Sequence, residues 1–340
     1  MLIQIMMLLA GLVMILLAAE FFTNGIEAFG RHFSFSQAVV GSILAAVGTA
    51  LPETILPLVA IFIYGGESAK DIGVGAILGA PFMLSTLAFF LVGLTVSVAA
   101  INKKRKFELN VEVHSVKRDI IFFLMMYSSA VFLPLVFGRG FLIPLAVALI
   151  AGYIVYAWMT FRGESAEMEE TGHMYLWSMV KKKSRLTGAG KHPSLFIILL
   201  QVIVSLAVMV EGAHTFVRSL GLISERFGMN PLLFALLLAP VATELPEKFN
   251  SVTWTWKGRD TLAIGNITGA MVFQATFPVS IGLLFTDWKL TGMALFSALL
   301  TMASALVVLG SVLIKKSVSP VVLLFGGLLY LIYTLVLIIR

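Results

Sequence analysis

Two glutamates, Glu53 and Glu247, each stand directly after a proline inside long apolar segments of the chain. Apolar runs of about 20 residues recur along the sequence, the length a helix needs to cross the hydrocarbon of a bilayer. A charged side chain at the centre of a bilayer costs about 3 kcal/mol or more, so an ionisable residue held there is read first as functional. The constraint is doubled, because the two glutamates belong to related stretches. One reads Gly48-Thr49-Ala50-Leu51-Pro52-Glu53, the other Ala242-Thr243-Glu244-Leu245-Pro246-Glu247. Each is followed by a Gly-x-x-x-Gly helix, Gly75/Gly79 in one and Gly265/Gly269 in the other. Such glycines let neighbouring helices approach closely.

Composition fixes the solvent. Hydrophobic residues make up 59% of the chain and charged ones 12%, and the mean hydropathy is +0.99. The chain is therefore expected to be an all-α polytopic membrane protein. The apolar pattern predicts ten spans, at 2–22, 36–63, 71–98, 119–137, 140–161, 193–217, 231–255, 260–285, 290–313 and 318–339. The first run lacks a basic leading region and continues into Glu20-Phe21-Phe22, so it reads as a retained span rather than a signal peptide. Cysteine is absent, which excludes disulfides and thiolate metal sites.

Charge sets the orientation. The odd-numbered loops carry 17 of the 24 Lys and Arg residues, including Lys103-Lys104-Arg105-Lys106 and Lys181-Lys182-Lys183. The positive-inside rule places these loops in the cytoplasm and both termini outside. The net charge of +6 follows from that topology. Nucleic-acid binding is the weaker reading, since the basic clusters are short and adjoin spans. The longest connection, 162–192, separates a first five-helix unit, 1–161, from a second, 193–340. Its stretch 174–180 reads either as a short surface helix or as part of a solvated linker. Five spans per unit invert the second unit relative to the first, as in many secondary transporters.

Helix geometry gives each repeat a set of hard oxygens. Thr49 and Glu53 are spaced i, i+4, as are Thr243 and Glu247, so each pair is expected on one helix face. Pro52 and Pro246 donate no backbone hydrogen bond and free carbonyls near Gly48 and Ala242. Hydroxyl, carbonyl and carboxylate from both repeats approach the six or more oxygens that Ca²⁺ prefers. Two carboxylates also balance a 2+ charge.

With these residues in view, the chain resembles the cation/calcium exchanger superfamily, of the sodium/calcium exchanger type. The likeness rests on Gly48 to Glu53 with Gly75 to Ala80, and on Thr243 to Glu247 with Gly265 to Gly269. It implies ten helices in two inverted halves, with ions bound at mid-membrane between the second, third, seventh and eighth. It assigns Thr49, Glu53, Thr243 and Glu247 to Ca²⁺. The family's serine after each threonine is here Ala50 and Glu244, and its polar block on the third and eighth helices is here Ala80, Pro81, Leu84, Ala270 and Met271, with Gln274 retained. Those positions are the ones the resemblance assigns mainly to Na⁺.

Glu244 and Lys248, also i, i+4, read either as an internally neutralised pair or as a lysine that reaches Glu247 or Glu53 in place of a cation. They are further candidates for the site or its gate, with Asn266, Gln274 and Asn250. Glu20, Glu211 and His214 are weaker ones. No phosphate loop, zinc motif or nucleophile with a paired base is present, so the chain is not expected to be an enzyme or to hold a cofactor. The expected function is secondary antiport of Ca²⁺ across the cell membrane, with H⁺ or Na⁺ as counter-ion. The alternatives are a degenerate exchanger with altered selectivity or no coupled transport, and a cation channel. H⁺ is favoured, because apolar side chains cannot replace the hydration shell of Na⁺ and a desolvated carboxyl group accepts a proton readily.

The topology is directly testable. A cysteine introduced at Ser184 should react with impermeant thiol reagents only from the cytoplasmic side; labelling from outside intact cells would overturn it.

Overall fold

The computed structural model describes residues 2–33, 45–163, 194–290 and 292–339. Among the described residues the regular structure is helical throughout. The elements are α1 (Leu2–His32), α2 (Ala45–Leu58), α3 (Glu67–Met83), α4 (Phe89–Ile101), α5 (Val113–Phe137), α6 (Leu142–Gly163) and α7 (Leu195–Phe227). They continue as α8 (Pro231–Thr243), α9 (Leu245–Trp256), α10 (Asp260–Gln274), α11 (Phe277–Phe285), α12 (Gly292–Lys315) and α13 (Pro320–Ile339). Eight helical segments are long and apolar enough to cross a membrane, while Leu51–Tyr64 and Pro231–Val241 are shorter apolar helices. Large apolar side chains such as Leu2, Ile314 and Ile339 stand exposed on the outer faces, as expected where lipid rather than water is the neighbour.

The scaffold spans agree with the apolar pattern to within a few residues at α6, α12 and α13, and α5 starts a turn and a half earlier than expected. α1 and α7 run about ten residues past the expected ends and pack along one another through Ile15, Ala18 and Phe22 against Met209, Phe216 and Leu220. Residues 36–44 of the expected second span, the 174–180 stretch and Ser184 lie outside the described residues.

The motif-bearing spans are not continuous α-helix. α2 widens into a π-helical turn at Val59–Tyr64, where the Gly65 N–H donates to the Ala60 carbonyl at 3.3 Å. The third span widens in the same way at Leu84–Ala88, between α3 and α4. The expected span 231–255 is broken at Glu244, and 260–285 is broken at Ala275–Thr276. Prolines account for three of these irregularities. Pro57, Pro81 and Pro246 have no N–H to give to the carbonyl four residues back. The carbonyl of Ser85, in the third-span π turn, is taken by the Ser304 hydroxyl of α12 at 2.5 Å. At the eighth-span break the Thr276 hydroxyl donates back to Val272 at 2.9 Å.

Packing is reciprocal between the halves. α3 and α4 pack on α12 and α13, and α10 and α11 pack on α5 and α6. Phe82, Phe89, Phe123 and Tyr127 lie fully buried in the core between them. The tightest crossing is α3 on α8. A Cβ at Gly75 would lie 2.2 Å from the Leu232 carbonyl oxygen, and one at Gly79 2.1 Å from that of Leu236. The two backbones therefore touch, and only glycine permits it. The second glycine pair does not make the expected close approach: among the described residues nothing lies within 4 Å of a Cβ at Gly265, and the nearest atom to one at Gly269 is Tyr156 Oη at 3.6 Å.

Gly79→Ala should lower the melting temperature in detergent, since overpacking of this kind costs about 1–3 kcal/mol. Gly310→Ala, in open space within α12, should leave it unchanged or raise it.

Candidate functional site

The first repeat places its carboxylate inside the protein. Glu53 is 6% exposed, and neither of its carboxylate oxygens has a hydrogen-bond partner among the described residues. Its backbone carbonyl has lost its usual helical donor as well, because residue 57 is proline. The Thr49 side chain lies outside the described ones. On the second repeat Glu247 is also 6% exposed, and its Oε2 has no partner. The charges of Glu247, Glu244 and Lys248 all act on Glu53, which brings the two motifs into one electrostatic site. Burying an unpaired carboxylate is strongly unfavourable. Glu53 and Glu247 thus hold three buried carboxylate oxygens without a partner among the described residues.

The second repeat departs from the expected helix face. The chain bends at Glu244 (φ −101°, ψ 8°), between Thr243 and Glu247. Pro246 has no N–H to give to the Ala242 carbonyl, and α9 restarts with Leu245-Pro246. Thr243 Oγ1 turns to its own helix and donates to the Ala239 carbonyl at 3.4 Å. Asn266 Nδ2 donates to the Glu247 carbonyl and to Ser251 Oγ, both at 3.2 Å. It ties α10 to the backbone that carries the glutamate. Asn250 is exposed.

Glu244 and Lys248 form the internally neutralised pair. Lys248 Nζ lies 3.2 Å from Glu244 Oε2, and Gln274 Nε2 donates to Glu244 Oε1 at 3.2 Å. The lysine also donates to the Pro240 carbonyl at 3.3 Å and to Met83 Sδ at 2.9 Å. Glu20 and Glu211 are exposed, and the His214 ring faces Tyr64 at 6.2 Å. Among the described residues no group of three or more His, Cys, Asp or Glu side chains converges as a resident metal centre.

Sequence reasoning missed two anchors that hold α10 in place. Asp119 accepts from Thr268 Oγ1 at 2.7 Å, from Tyr156 Oη at 3.1 Å and from Arg118 Nε at 3.1 Å. Asp260, 1% exposed, accepts from Arg105 Nη1 at 2.8 Å, Arg105 Nη2 at 2.5 Å and the Asn110 N–H at 2.9 Å. Arg105 also donates to the Thr255 carbonyl at 2.7 Å. Its hydrogen bond to Asp260 holds the guanidinium above the usual arginine range. The only signal in the sequence was Arg105 within a basic run, which topology had already explained.

The sodium/calcium exchanger protein family matches residues 3–162 and 197–340. This chain belongs to that family. Its members are ion exchangers, transporters rather than enzymes. Sodium/calcium exchanger MaX1 of Methanosarcina acetivorans is 24% identical over 325 residues, covering 86% of each chain. Among solved structures, the H⁺/Ca²⁺ exchanger CAX is similar with a TM-score of 0.70 and 19% identity, covering 98% of this chain and 82% of that one. The sodium-calcium exchanger NCX_Mj is similar with a TM-score of 0.56 and 20% identity, covering 97% of both. At these identities the two structures establish the exchanger fold.

Arg105→Met should destabilise this exchanger by about 3 kcal/mol, because it removes the cation from a buried carboxylate. A thermal melt in detergent, set against Lys106→Met in the same basic run, checks this.

Proposed function

We propose that this exchanger moves Ca²⁺ across the membrane by alternating access, with Glu53 and Glu247 binding one divalent ion between the two motif regions. The observation that carries the reading is Glu53, whose two carboxylate oxygens are buried and unpaired within the field of Glu247. A divalent cation neutralises the pair, and oxygen is the ligand such a hard ion prefers. Thr49 and Thr243, the carbonyls freed by the motif prolines and the Glu53 carbonyl freed by Pro57 are the further oxygens. Asn266 positions Glu247 through its backbone.

In this reading the chain is two inverted five-span units, 1–161 and 193–340, joined by a cytoplasmic linker at 162–192. The reciprocal packing of each motif-bearing third span on the last two spans of the other half supports it. Contacts between loops agree. Arg105 before α5 meets Asp260 at the start of α10, both on the cytoplasmic side in this reading. Arg139 before α6 pairs with Asp287 after α11, two connections on the outer side. An even number of crossings separates the partners in each pair.

H⁺ is the proposed counter-ion. Ala80, Pro81, Leu84 and Met271 are buried and offer no oxygen to a second or third cation. A proton needs only the carboxylates themselves. The names of the relatives include both coupling types, so the decision rests on these side chains.

Glu53→Gln and Glu247→Gln should each abolish Ca²⁺ binding measured by calorimetry, whereas Glu67→Gln, at the exposed start of α3, should be silent. Radiolabelled Ca²⁺ uptake into proteoliposomes should follow an outward H⁺ gradient, slow on acidification as protons compete for the glutamates, and ignore Na⁺. Uptake driven by an outward Na⁺ gradient with pH clamped would overturn the counter-ion; wild-type Ca²⁺ affinity in both Gln variants would overturn the site.

A further inference from the structure

The Glu244–Lys248 pair exists in one half of the molecule only. The corresponding positions in the first motif, counted from Glu53, are Ala50 and Thr54. The duplicated site has therefore acquired one extra acid and one extra base, and both are buried, at 0% and 6% exposure. The surroundings of the ammonium are specific. Its acceptors are Glu244 Oε2 at 3.2 Å, the Pro240 carbonyl at 3.3 Å and Met83 Sδ at 2.9 Å, one for each of its three hydrogens. They come from the bend after α8, from α8 itself and from α3. Gln274 holds the other Glu244 oxygen, and its own Oε1 is buried with no partner. The carboxylate and carbonyl oxygens are hard ligands that an alkali cation would also take, and the tethered ammonium stands in its place.

We propose that Lys248 is a built-in monovalent cation that occupies a Glu244–Pro240–Met83 subsite and thereby removes any requirement for a free Na⁺ or K⁺ there. This rests on the reading of Glu53 and Glu247 as the divalent pair. Three acidic side chains and one lysine leave a charge of −2, which a single divalent ion cancels. Without the lysine the same site carries −3, and a divalent ion leaves one charge for a monovalent partner. Lys248 is thus a specificity-determining residue: it sets how many ions load, without touching the divalent ion itself. Lysine suits the role because its ammonium is a compact point charge with three donors on a flexible stem.

The test uses the full chain in detergent, at alkaline pH, with melting temperature followed in Na⁺, K⁺ or choline chloride at equal ionic strength. Wild type should melt alike in all three salts. Lys248→Met should gain a saturable stabilisation by Na⁺ or K⁺ on the order of 3 °C. Glu244→Gln/Lys248→Met, which empties the subsite of both charges, should lose that response. Lys248→Gln carries the same measurement should the methionine variant fail to fold. A structural ion pair alone predicts no ion-specific response in any variant. A folded Lys248→Met or Lys248→Gln that ignores both cations would overturn the proposal, as would saturable stabilisation of wild type by either. Stabilisation by Ca²⁺ is read in parallel with Glu53→Gln. If Ca²⁺ has no effect on wild type, the divalent-site reading fails independently of the Na⁺ and K⁺ results.

Discussion

Hydrocarbon offers no hydrogen-bond partners, so any backbone or side chain that leaves regular helix inside a bilayer has to be satisfied by the protein. Four motif-bearing stretches of this molecule leave regular helix among the described residues: the π turns at 59–64 and 84–88, the bend at Glu244 and the break at 275–276. The rest of the architecture serves them. α12 supplies the Ser304 hydroxyl to one π turn, and α3 supplies Met83 to the lysine at the bend. The plain helices α12 and α13 pack on α3 and α4, and α5 and α6 on α10 and α11. Long α1 and α7 pack on each other and on the α2 side of the site.

The site joins two kinds of polar group with opposite logic. Around Glu244 the interactions are closed: both oxygens and the lysine opposite them have partners. Around Glu53 and Glu247 they are open, with three carboxylate oxygens unpartnered. A buried charge is tolerated when it is neutralised, so the closed group can be permanent and the open group is suited to a ligand that comes and goes. The anchors at Asp119 and Asp260 keep the α10 helix fixed against α5 and the 102–112 connection. They are satisfied by fork-like or multiple donors, a geometry that holds direction as well as distance.

The asymmetry between the halves follows from proline placement. Both motifs share Thr-x-x-Pro-Glu, yet Pro57 follows only the first, and Pro240 precedes only the second. The first copy consequently stays helical through Pro52 and loosens later, at Val59. The second bends within the motif itself, at Glu244. Thr243, the last residue of α8, donates its hydroxyl back to Ala239. An i, i+4 rule presumes continuous helix, and here the continuity fails between the two residues it relates.

The sequence by itself determined the membrane as solvent, the family and the duplicated motif, and left Glu244 and Lys248 open between an internal pair and a lysine reaching Glu247 or Glu53. Each of these depends on apolar run length, local spacing or composition, which are properties of neighbouring residues. Only the tertiary structure decided which glycines lie against a backbone, that Met83 and Pro240 complete the lysine's surroundings, that Asn250 is exposed, and that Asp119 and Asp260 anchor α10. Those facts relate residues from different helices. How two helices cross, and where each one bends, is set by the packing of the whole bundle and not by the periodicity of either segment.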